Sequence, residues 1–590
     1  MQSTVFVNGN PTATNAAAAA APTAADGGGG RGSSSTSSST GSGGTGWTKG
    51  ADGNWFMMEA AATDDHIGSL SQLTLQTSSG QDFESARLQF IPQAADLLSS
   101  CCKQAQKYMR DQKNEHSFVS MRDVERASKV FKWFHSNAGL LFPPGESPEV
   151  LTKRCIILTL VICYHSRLDE QRADFRHVMA TRMLGDSCQI EGCRVKDAAE
   201  IEATIEDLEN VFRRAVSYTA PRQTALNAAL VENIYLMVVA IECKIPLFLV
   251  GKPGTSKSLA KSMVQDAMTG NESTDKEIFA HLTAVKMFSF QCSPLSKSED
   301  IVKLFERARS FQAQKKDEHF TSVVVLDEIG LAEDSEYMPL KVLHSLLDPD
   351  KDKIEDHIAF LGISNWALDP AKMNRGIFVN RTTPTTIDLV STAEAILGNS
   401  VQLQAILRPI AEAYDKVYKK QFEDDSWLCR DFYGLRDFYY MLKYIHHMHD
   451  RMGDRIDTNL LCRAVRRNFD GVPSHQLEAV VRMFLDQAQL GSESHALTPL
   501  ELLADSLREH NSNSRYLLVI TEGSISVGLN LLFNQELLPQ DSCEVIFGSS
   551  FPADLEYQHL CRNINKIKIC METGRTCVLL NLRVMLLNAS

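Results

Sequence analysis

The sequence lacks three features that would point to a membrane, a nucleic acid or the secretory pathway. No apolar run reaches the roughly 18–20 residues that a membrane-spanning helix needs. The formal net charge is −13, whereas a protein that binds mainly the nucleic-acid backbone carries a basic stripe. The first residues, MQSTVFVNGN, contain no charged segment followed by an apolar core, as a secretory signal does. We therefore expect a cytoplasmic protein with no transmembrane segment and no nucleic-acid partner.

Zinc-site spacing is absent as well. None of the 14 cysteines pairs with another across two intervening residues, the spacing typical of structural zinc sites. Cys188 and Cys193 come nearest to ligand spacing, but no second pair follows in range. The scattered cysteines are typical of reduced thiols in the cytosol. We predict no zinc site in this chain.

Composition and hydrophobic pattern divide the chain into five segments. Residues 1–80 consist largely of alanine, glycine, serine and threonine runs, which bury too little apolar surface to offset their ordering entropy, so we expect disorder there. Helical periodicity dominates 84–216, strands and helices alternate in 217–390, helices return in 391–487, and strands reappear in 488–590. The alternation predicts an α/β fold with a parallel sheet in the third segment.

Four short apolar runs mark the strands predicted for that sheet. They lie at 245–250, 286–291, 322–327 and 357–364. The first run is closed by a glycine-containing loop and is followed by a helix from Ser258 to about residue 268. Strand, loop and helix in this order are the context in which a phosphate-binding loop occurs.

The loop after the first strand has the sequence GKPGTSKS. Its residues are Gly251, Lys252, Pro253, Gly254, Thr255, Ser256, Lys257 and Ser258. In a P-loop, backbone N–H groups cradle the phosphates of ATP, the lysine (here Lys257) neutralises phosphate oxygens, and the hydroxyl of Ser258 holds Mg²⁺. Ser256 replaces the glycine that usually precedes the lysine, and we expect the same backbone turn at a modest cost. A glycine-rich strand–helix turn without a ligand is the alternative that the octapeptide alone leaves open.

A second pattern lies 70 residues after that lysine. Four apolar residues, 323–326, end in Asp327 and Glu328. Adjacent carboxylates at the end of a buried strand are costly unless a cation or a reaction uses them. Asp327 would bind the Mg²⁺ shell, and Glu328 would accept the proton of the attacking water. A strand that simply ends in solvent-exposed acids does not explain the phosphate loop upstream, so the two patterns together predict an ATP site.

Three further polar residues are candidates by their positions. Asn365 closes the fourth strand beside the two acids, where it would orient water against the γ-phosphate. In isolation it would be an ordinary asparagine at a strand end. Arg375 follows the stretch LDPAKMN, and we expect it to face outward toward a neighbouring module, with Arg381 as the reserve candidate.

Arg436 lies in an internal repeat. Residues 120–124 (SMRDV) resemble residues 434–438 (GLRDF), and each stretch opens an aromatic-rich amphipathic helix. The two matches fall at the same place in the helical segments before and after the sheet. Arg436 is the remaining cation that would fold back over the phosphates. A salt bridge with Asp437 or Asp431 is the alternative.

Three longer strings carry a family resemblance. GKPGTSKSLAKSM, VVVLDEIGLAEDSEYMPLK and GISNWALDPAKMNRGIFV resemble the AAA+ core of the mysterin family, giant RING-finger ubiquitin ligases with a dynein-like ATPase ring. The similarity spans about residues 84–590, a small part of such a protein. It implies a ring of adjacent AAA+ units in one polypeptide and a ligase activity housed elsewhere, with a ubiquitin-conjugating enzyme as partner. It also implies roles at lipid droplets and in defence against intracellular microbes.

The resemblance implies a role for each candidate residue and segment. By motif, Walker A is Lys257 and Ser258, Walker B is Asp327 and Glu328, sensor 1 is Asn365, the arginine-finger region holds Arg375, sensor 2 is Arg436, and Arg122 is sensor 2 of a preceding unit. By segment, the lid of that preceding AAA+ unit is 84–216, the nucleotide-binding core is 217–390, its lid is 391–487, and a truncated, degenerate unit is 488–590.

The last segment departs from the family pattern. Residues 521–528 read TEGSISVG where a P-loop belongs, without a Lys-Ser pair. The strand equivalent to Walker B ends in Asn581 and Leu582 instead of Asp-Glu. Because the phosphate cation, the metal carboxylate and the base are all missing, we expect this unit to be structural. We interpret the chain as a fragment of a longer protein.

These patterns predict an AAA+ ATPase module that drives or gates conformational change in a mysterin-like ligase. Since such sites take an arginine from a neighbouring unit, we expect the isolated chain to bind ATP·Mg²⁺ but to turn it over poorly. A nucleotide-binding scaffold with little hydrolysis and a dynein-like motor unit are the alternatives, and the motor is disfavoured because no long heptad stalk is present. Ubiquitin transfer by this chain itself would need a RING or a reactive cysteine, and no cysteine has a supporting pattern.

Overall fold

The computed structural model describes most of the chain between residues 94 and 581, together with three short strands before it. Those strands are β1 (Gln2–Asn8), β2 (Trp47–Lys49) and β3 (Trp55–Met57). The residues left undescribed are 1, 9–46, 50–54, 58–93, 113–117, 186–187, 189, 222–223, 276, 316–318, 349–357, 382, 399–400, 424–430, 453–456, 492–497, 509–515, 522–523, 549–550, 552–555 and 582–590. Among the described residues, no helix is both long and apolar enough to cross a membrane.

A helical block comes first. Its helices are α1 (Ala94–Asp111), α2 (Met121–Ser136), α3 (Ala138–Leu141), α4 (Pro148–Cys163), α5 (Arg172–Val178) and α6 (Ala198–Ser217). Residues 155–163 of α4 are buried on every side, which accords with their almost uniformly apolar sequence. It begins at Pro148, a residue suited to the first turn, and the side chain of Ser147 accepts a hydrogen bond from the N–H of Val150 at 3.4 Å.

A five-stranded parallel sheet follows. Its strands are β4 (Leu247–Gly251), β5 (Ala284–Gln291), β6 (Phe320–Asp327), β7 (Ala359–Ser364) and β8 (Ile377–Arg381). Its helices are α7 (Ala228–Glu242), α8 (Lys257–Ala267), α9 (Ser298–Gln314), α10 (Leu343–Leu346) and α11 (Pro370–Met373). The strand order is β5-β6-β7-β4-β8, and all neighbours are parallel. The predicted α/β architecture is therefore confirmed, and the carboxyl ends of β4, β6 and β7 lie along one edge.

The edge strand β8 is the element of this sheet that the sequence pattern does not predict. It is only five residues long and follows α11 after three residues. Gly376 permits its close approach to the start of β4, since a Cβ there would lie 2.3 Å from the carbonyl oxygen of Pro246. The N–H of Ile377 donates to that same oxygen at 2.7 Å.

The helices after the sheet form a unit with its own hydrophobic core. They are α12 (Thr386–Leu397), α13 (Val401–Glu423), α14 (Leu435–Met452), α15 (Thr458–Phe469) and α16 (Ser474–Gln487). Aromatic residues including Tyr414, Phe438 and Phe469 are buried between them. The first helical block is different, because it shares one continuous core with α7 and with one face of the sheet. The boundary expected at residues 216 and 217 is therefore not a boundary between hydrophobic cores.

The internal repeat has the same local geometry at both places. In α2 the carboxylate of Asp123 accepts a hydrogen bond from the N–H of Ser120 at 2.8 Å. In α14 the carboxylate of Asp437 accepts one from the N–H of Gly434, also at 2.8 Å. An acid at the third helical position that satisfies the N–H of the capping residue is half of a capping box. The repeated Arg-Asp pair is therefore a repeated helix start.

The last part of the chain contains a second sheet. Its elements are α17 (Pro499–Arg508), β9 (Tyr516–Thr521), α18 (Ile525–Asn534), β10 (Cys543–Phe547), α19 (Tyr557–Thr573) and β11 (Thr576–Leu580). Strands β10 and β11 are parallel, as β5 and β6 are in the first sheet. The strand order is β10-β11-β1-β9, and β1 is antiparallel to both of its neighbours. By sheet position, β1 stands where β7 stands in the first sheet.

Strands β1, β2 and β3 lie within residues 1–80, for which the composition predicts disorder. Strand β1 has the sequence QSTVFVN, and its β-branched residues and phenylalanine suit a strand, unlike the alanine and glycine runs that follow. Strands β2 and β3 form an antiparallel pair. The other residues of the predicted disordered segment lie outside the described residues.

Candidate nucleotide-binding site

The P-loop turns through two left-handed residues. Gly254 has a φ of 90°, and Ser256 has a φ of 59° with a ψ of 18°. Ser256 thus adopts the conformation that glycine adopts without a steric cost, and its Cβ makes this unfavourable by about 1–2 kcal/mol. The prediction that Ser256 accepts the turn of the usual glycine is confirmed.

Lys257 is folded back onto the loop. Its Nζ donates to the carbonyl oxygens of Gly251 and of Lys252 (3.0 Å) and to Oγ1 of Thr255 (3.3 Å). The residue is 6% exposed. Burial lowers the pKa of Lys257 to about 8, against the opposing effect of the Glu328 carboxylate. An ammonium group that only uncharged oxygens hold is available to phosphate oxygens at the loop.

The two carboxylates and the asparagine predicted from the sequence meet at the edge of the sheet. Asp327 is the last residue of β6, and Asn365 follows directly after β7, its neighbour in the sheet. Nδ2 of Asn365 donates to Oε2 of Glu328 at 2.6 Å. Glu328 has a φ of 52° and a ψ of 38°, a conformation that costs a residue other than glycine about 1–2 kcal/mol. Such strain is common at functional sites, and here it places the predicted base against Asn365.

Lys261, which the sequence pattern did not identify, forms an ion pair with Asp327. Nζ of Lys261 is 3.2 Å from Oδ2 of Asp327, and the two side chains are 17% and 15% exposed. Lys261 lies on α8, four residues and about one helical turn after Lys257. The spacing of four residues from Lys257 was the sequence signal that could have identified Lys261, because residues four apart share a helix face.

The helices after the sheet contact the P-loop through the start of α14. The hydroxyl of Tyr439 donates to the carbonyl oxygen of Gly254 at 3.3 Å. A Cβ at Gly254 would lie 2.7 Å from the Cβ of Leu435 and 3.5 Å from the backbone nitrogen of Arg436. A larger residue at position 254 would therefore push α14 away from the loop.

The second residue of the P-loop makes a further contact with these helices. Nζ of Lys252 lies 2.8 Å from Oδ1 of Asp431 and donates to the hydroxyl of Tyr418 at 3.0 Å. It also lies 4.4 Å from the ring centroid of Phe422, a cation–π distance. The hydrogen bonds to Asp431 and Tyr418 raise the pKa of Lys252 despite its partial burial. We call Lys252, Tyr418, Phe422 and Asp431 the lid clamp.

Arg436 is exposed at the start of α14, beside the P-loop. Neither of its alternative partners is paired with it. Asp431 holds Lys252 in the lid clamp, and Asp437 accepts the N–H of Gly434. Within the described part of the chain, Arg436 forms no ion pair. The alternative, a salt bridge to Asp431 or Asp437, is not formed. The role of Arg436 over the phosphates stays a prediction.

Arg375 does not face outward. Its Nε donates to Nδ1 of His344 at 3.2 Å, its Nη1 donates to the carbonyl oxygen of His344 at 2.9 Å, and Nη1 also bonds to Asp348. Only 16% of its side chain is exposed. A second arginine, Arg122 of α2, lies 3.7 Å from the same oxygen of Asp348. The expectation of an outward arginine is wrong for this structure because the carboxylate of Asp348 holds the guanidinium inside the chain.

Arg381, the reserve candidate, is buried beside the P-loop strand. It is 6% exposed and pairs with Gly251 in the register of β8 and β4. Its Nη1 donates to Oε2 of Glu232 on α7 at 2.5 Å, and Nη1 of Arg172 on α5 donates to the same oxygen at 3.2 Å. Burial opposes ionisation of Glu232, but the two arginines, Arg172 first, hold its pKa well below the usual range. Arg381 therefore joins the helical block to the P-loop strand.

The residues at this edge fit a nucleotide with Mg²⁺. The hydroxyl of Ser258 is exposed at the start of α8, and Asp327 supplies a carboxylate, both of them oxygen ligands that Mg²⁺ prefers. Helix α8 has no side-chain N-cap, so its first N–H groups are available to an anion. No three His, Cys, Asp or Glu residues converge as a metal cage in the part of the chain that the structure describes. Mg²⁺ at NTP sites takes several ligands from phosphates and water, so such a cage is not required.

The first sheet and strands β9, β10 and β11 of the second lie in regions that match models of known protein families. Residues 223–388 match a family model described as an RNF213 AAA domain, and residues 505–587 match another with the same description. These regions are AAA domains of the RNF213 type. RNF213 is the mysterin of the motif-based resemblance, which is therefore confirmed. With the order of the parallel strands, the matches establish an α/β fold of the AAA+ P-loop NTPase class.

Three of the curated relatives are RNF213 proteins of vertebrates, each described as an E3 ubiquitin-protein ligase. The chain is 39% identical to RNF213 of Mus musculus over 525 residues, which is 83% of this chain and 10% of that protein. It is 36% identical to rnf213-beta of Danio rerio over 573 residues (89% and 11%) and 37% identical to RNF213 of Homo sapiens over 511 residues (81% and 9%). The chain thus spans about a tenth of the length of the curated relatives it matches.

The solved structures that match this chain are more distant. The Aeropyrum pernix ORC2 protein, solved as ADPNP–ADP complexes, has a TM-score of 0.28 and 14% identity, and the match covers 62% of this chain and 90% of that one. A point mutant of Thermotoga maritima RuvB has a TM-score of 0.26 and 13% identity, covering 52% and 94%. TM-scores of this size do not establish a common fold. The fold of the RNF213-type domains follows from the sheet order and the family matches.

Proposed function

We propose that the first RNF213-type AAA domain binds ATP with Mg²⁺ and hydrolyses it, and that this cycle gates a conformational change within an RNF213-type ubiquitin ligase. The observation that carries the proposal is the 2.6 Å hydrogen bond from Asn365 to Glu328 beside the P-loop. It places the carboxylate of Glu328 and the amide of Asn365 together at the edge where Lys257 and Asp327 also lie.

Each residue has a distinct part in the proposed hydrolysis. Backbone N–H groups of the loop and the cation of Lys257 hold the phosphates. The hydroxyl of Ser258 and the carboxylate of Asp327 would hold Mg²⁺, which when bound neutralises charge that develops on the phosphate oxygens. Glu328 accepts a proton from water as the water oxygen bonds to the γ-phosphorus and the bond to the β-phosphate oxygen breaks. Asn365 orients Glu328, and the products are ADP and phosphate.

Turnover by the isolated chain is expected to be slow. Arginines supplied from a neighbouring protein or unit accelerate other NTPases by about 10³–10⁵. Arg375 is engaged with Asp348 and His344, and Arg381 with Glu232, so neither is free to serve a second copy of the site. We therefore infer that the chain binds ATP but hydrolyses it slowly.

The purified 590-residue chain tests the proposal directly. Calorimetry should detect ATP binding in the presence of Mg²⁺, and phosphate release should be slow but measurable. Glu328→Gln should keep the binding and abolish the release, whereas Lys257→Met should bind ATP only weakly. If the chain fails to bind ATP, the proposal is wrong. Fast hydrolysis that rises with protein concentration would instead indicate that copies complete each other's sites.

A scaffold that binds ATP without hydrolysing it is the second candidate. The same hydrogen bond favours it in one respect, because Asn365 occupies one of the two oxygens of Glu328. Incubating the chain with a single equivalent of ATP separates the candidates. The scaffold retains ATP after hours, whereas the ATPase retains ADP.

Wider roles rest on the likeness to RNF213 alone. The curated relatives are described as E3 ubiquitin-protein ligases, so we propose that the whole protein acts with a ubiquitin-conjugating enzyme and that adjacent AAA units surround this one. A cytoplasmic location, with some protein on lipid droplets, is proposed from the mysterin resemblance. Imaging of a tagged chain beside a neutral-lipid dye tests the location, and a chain confined to another compartment would contradict it.

A further inference from the structure

We propose that Lys261 is an internal counter-ion for Asp327 that Mg²⁺ must displace, so that this lysine sets the metal dependence of nucleotide binding. The proposal rests on the nucleotide-binding function proposed above. It concerns how this particular site responds to the metal, which the P-loop pattern does not determine.

The contact itself is close and largely shielded from water. Nζ of Lys261 is 3.2 Å from Oδ2 of Asp327, and neither side chain is more than 17% exposed. The other carboxylate oxygen, Oδ1, accepts the N–H of Glu328 at 3.1 Å. Both oxygens of Asp327 are therefore engaged, one of them by a full positive charge. In a shielded position such a pair is screened less by salt than a surface pair.

Helix α8 brings two lysines to the same edge of the sheet. Lys257 and Lys261 lie four residues apart, which places them on one helix face. Nζ of Lys257 contacts the carbonyl oxygen of Gly251 at the end of β4, and Nζ of Lys261 contacts Asp327 at the end of β6. The phosphates at the loop and a metal ion near Asp327 would therefore lie between two ammonium groups.

A divalent cation and an ammonium group cannot share one carboxylate oxygen without strong repulsion. Metal binding near Asp327 thus requires Lys261 to move away, which lowers the apparent metal affinity. In the absence of metal, Lys261 keeps Asp327 neutralised. The phosphates then meet two lysines rather than a bare carboxylate, so the site should accept nucleotide without metal better than a site that lacks this lysine.

Calorimetric titration of the full chain with ATP, at a series of Mg²⁺ concentrations and in EDTA, tests this. In Lys261→Met, the Mg²⁺ concentration that gives half-maximal binding should fall about tenfold and the metal-free Kd should rise about tenfold, each equivalent to loss of one shielded ion-pair contact. Lys261→Arg should resemble the unmodified chain. Lys303→Met removes an exposed lysine of α9 and serves as the matched control.

Binding of Mn²⁺ alone, followed by its electron paramagnetic resonance signal, provides a readout that needs no nucleotide. Lys261→Met should bind Mn²⁺ more tightly than the unmodified chain, and Lys261→Met with Asp327→Asn should lose the gain. An unchanged or weaker metal response in Lys261→Met would overturn the proposal. If the unmodified chain binds no ATP, the proposed function fails, and the Mn²⁺ measurement alone decides the role of Lys261. Comparable melting temperatures for the variants establish that each is folded.

Discussion

Arg122 and Arg375 meet at one carboxylate oxygen. Arg375 bonds to Oδ2 of Asp348 through Nη1, and Nη2 of Arg122 lies 3.7 Å from the same atom. One arginine belongs to the first helical block and the other to the connection between α11 and β8, and the motif-based resemblance assigned both to phosphate recognition. In this structure they share an internal counter-ion, so a phosphate that bound either arginine would compete with Asp348.

Replacing Asp348 by asparagine leaves the two guanidinium groups without that shared carboxylate. Because Asp348 is 49% exposed, we expect the free energy of unfolding to fall by only about 0.5–1 kcal/mol at low salt. The loss should shrink at high salt, which screens exposed charges. Thermal unfolding followed by circular dichroism measures it. Asp334→Asn, at an exposed acid of the same domain, is the control, and equal losses in the two variants would contradict the prediction.

Replacing Ser256 by glycine should stabilise the protein. The left-handed φ of 59° strains serine but not glycine, and the gain is reduced by the greater freedom of glycine in the unfolded chain. We expect a net increase of about 0.5–1 kcal/mol in the free energy of unfolding, measured by urea titration. Ser262→Gly, at an exposed position of α8, should instead be destabilising by about 0.5 kcal/mol. Destabilisation by Ser256→Gly would show that the turn carries no strain.

The affinity for ATP should depend on pH through Lys257. Its pKa is lowered from 10.5 to about 8 in the nucleotide-free protein, so the cation is present below pH 8 and is lost above it. Phosphate favours the cation, so the complex keeps the proton to a higher pH. The Kd should therefore rise above pH 8, by up to about tenfold per pH unit. Calorimetry between pH 7 and 9.5 measures this.

Lys257→Met provides the control for the pH dependence, because its weak binding should not change over the same range. The lowered pKa also affects stability without nucleotide. Between pH 8 and 10.5 the unfolded chain binds more protons at Lys257 than the folded chain does, so this residue makes the free energy of unfolding rise with pH. The stability gained by Lys257→Met should accordingly be greatest below pH 8 and should decline above it.

Removing the cation of the lid clamp should loosen the contact between the P-loop and the helices after the sheet. In Lys252→Met the bonds to Asp431 and Tyr418 are lost, which should cost about 1 kcal/mol and speed nucleotide dissociation about fivefold. Amide hydrogen exchange at 435–439 should also quicken. Lys419→Met removes an exposed ion pair of α13 away from the P-loop. Equal effects of the two variants would argue against the clamp.

The sequence predicts which residues meet at the candidate site because their arrangement is local. Lys257 and Ser258 lie at the junction of one strand and one helix, and Asp327 lies at the end of another strand. Parallel strands bring their carboxyl ends to one edge, so Asn365 could be expected beside Glu328. Each of these inferences needs only the order of the elements along the chain.

The sequence pattern does not predict which residues of distant elements contact each other. The partner of Arg375 lies 27 residues before it, and the carboxylate on Arg381 lies 149 residues before it. An exposed arginine and a buried one look the same in a sequence, because burial depends on which surfaces pack together. The same holds for Lys252, whose aromatic neighbours come from α13.

The shared core of the helical block and the sheet has a mechanical consequence. The bonds of Glu232 to Arg172 and Arg381 tie this block to the P-loop strand, whereas α12–α16 pack around a separate core. The division between the two hydrophobic cores therefore falls between β8 and α12, within the segments 217–390 and 391–487 that the sequence pattern assigns to one AAA+ unit. If the chain hydrolyses ATP as we propose, we expect α12–α16 to move relative to the shared core. In a protein built from several such units, we would expect movement within each unit and rigidity where the helical block of one unit packs on the sheet of the next.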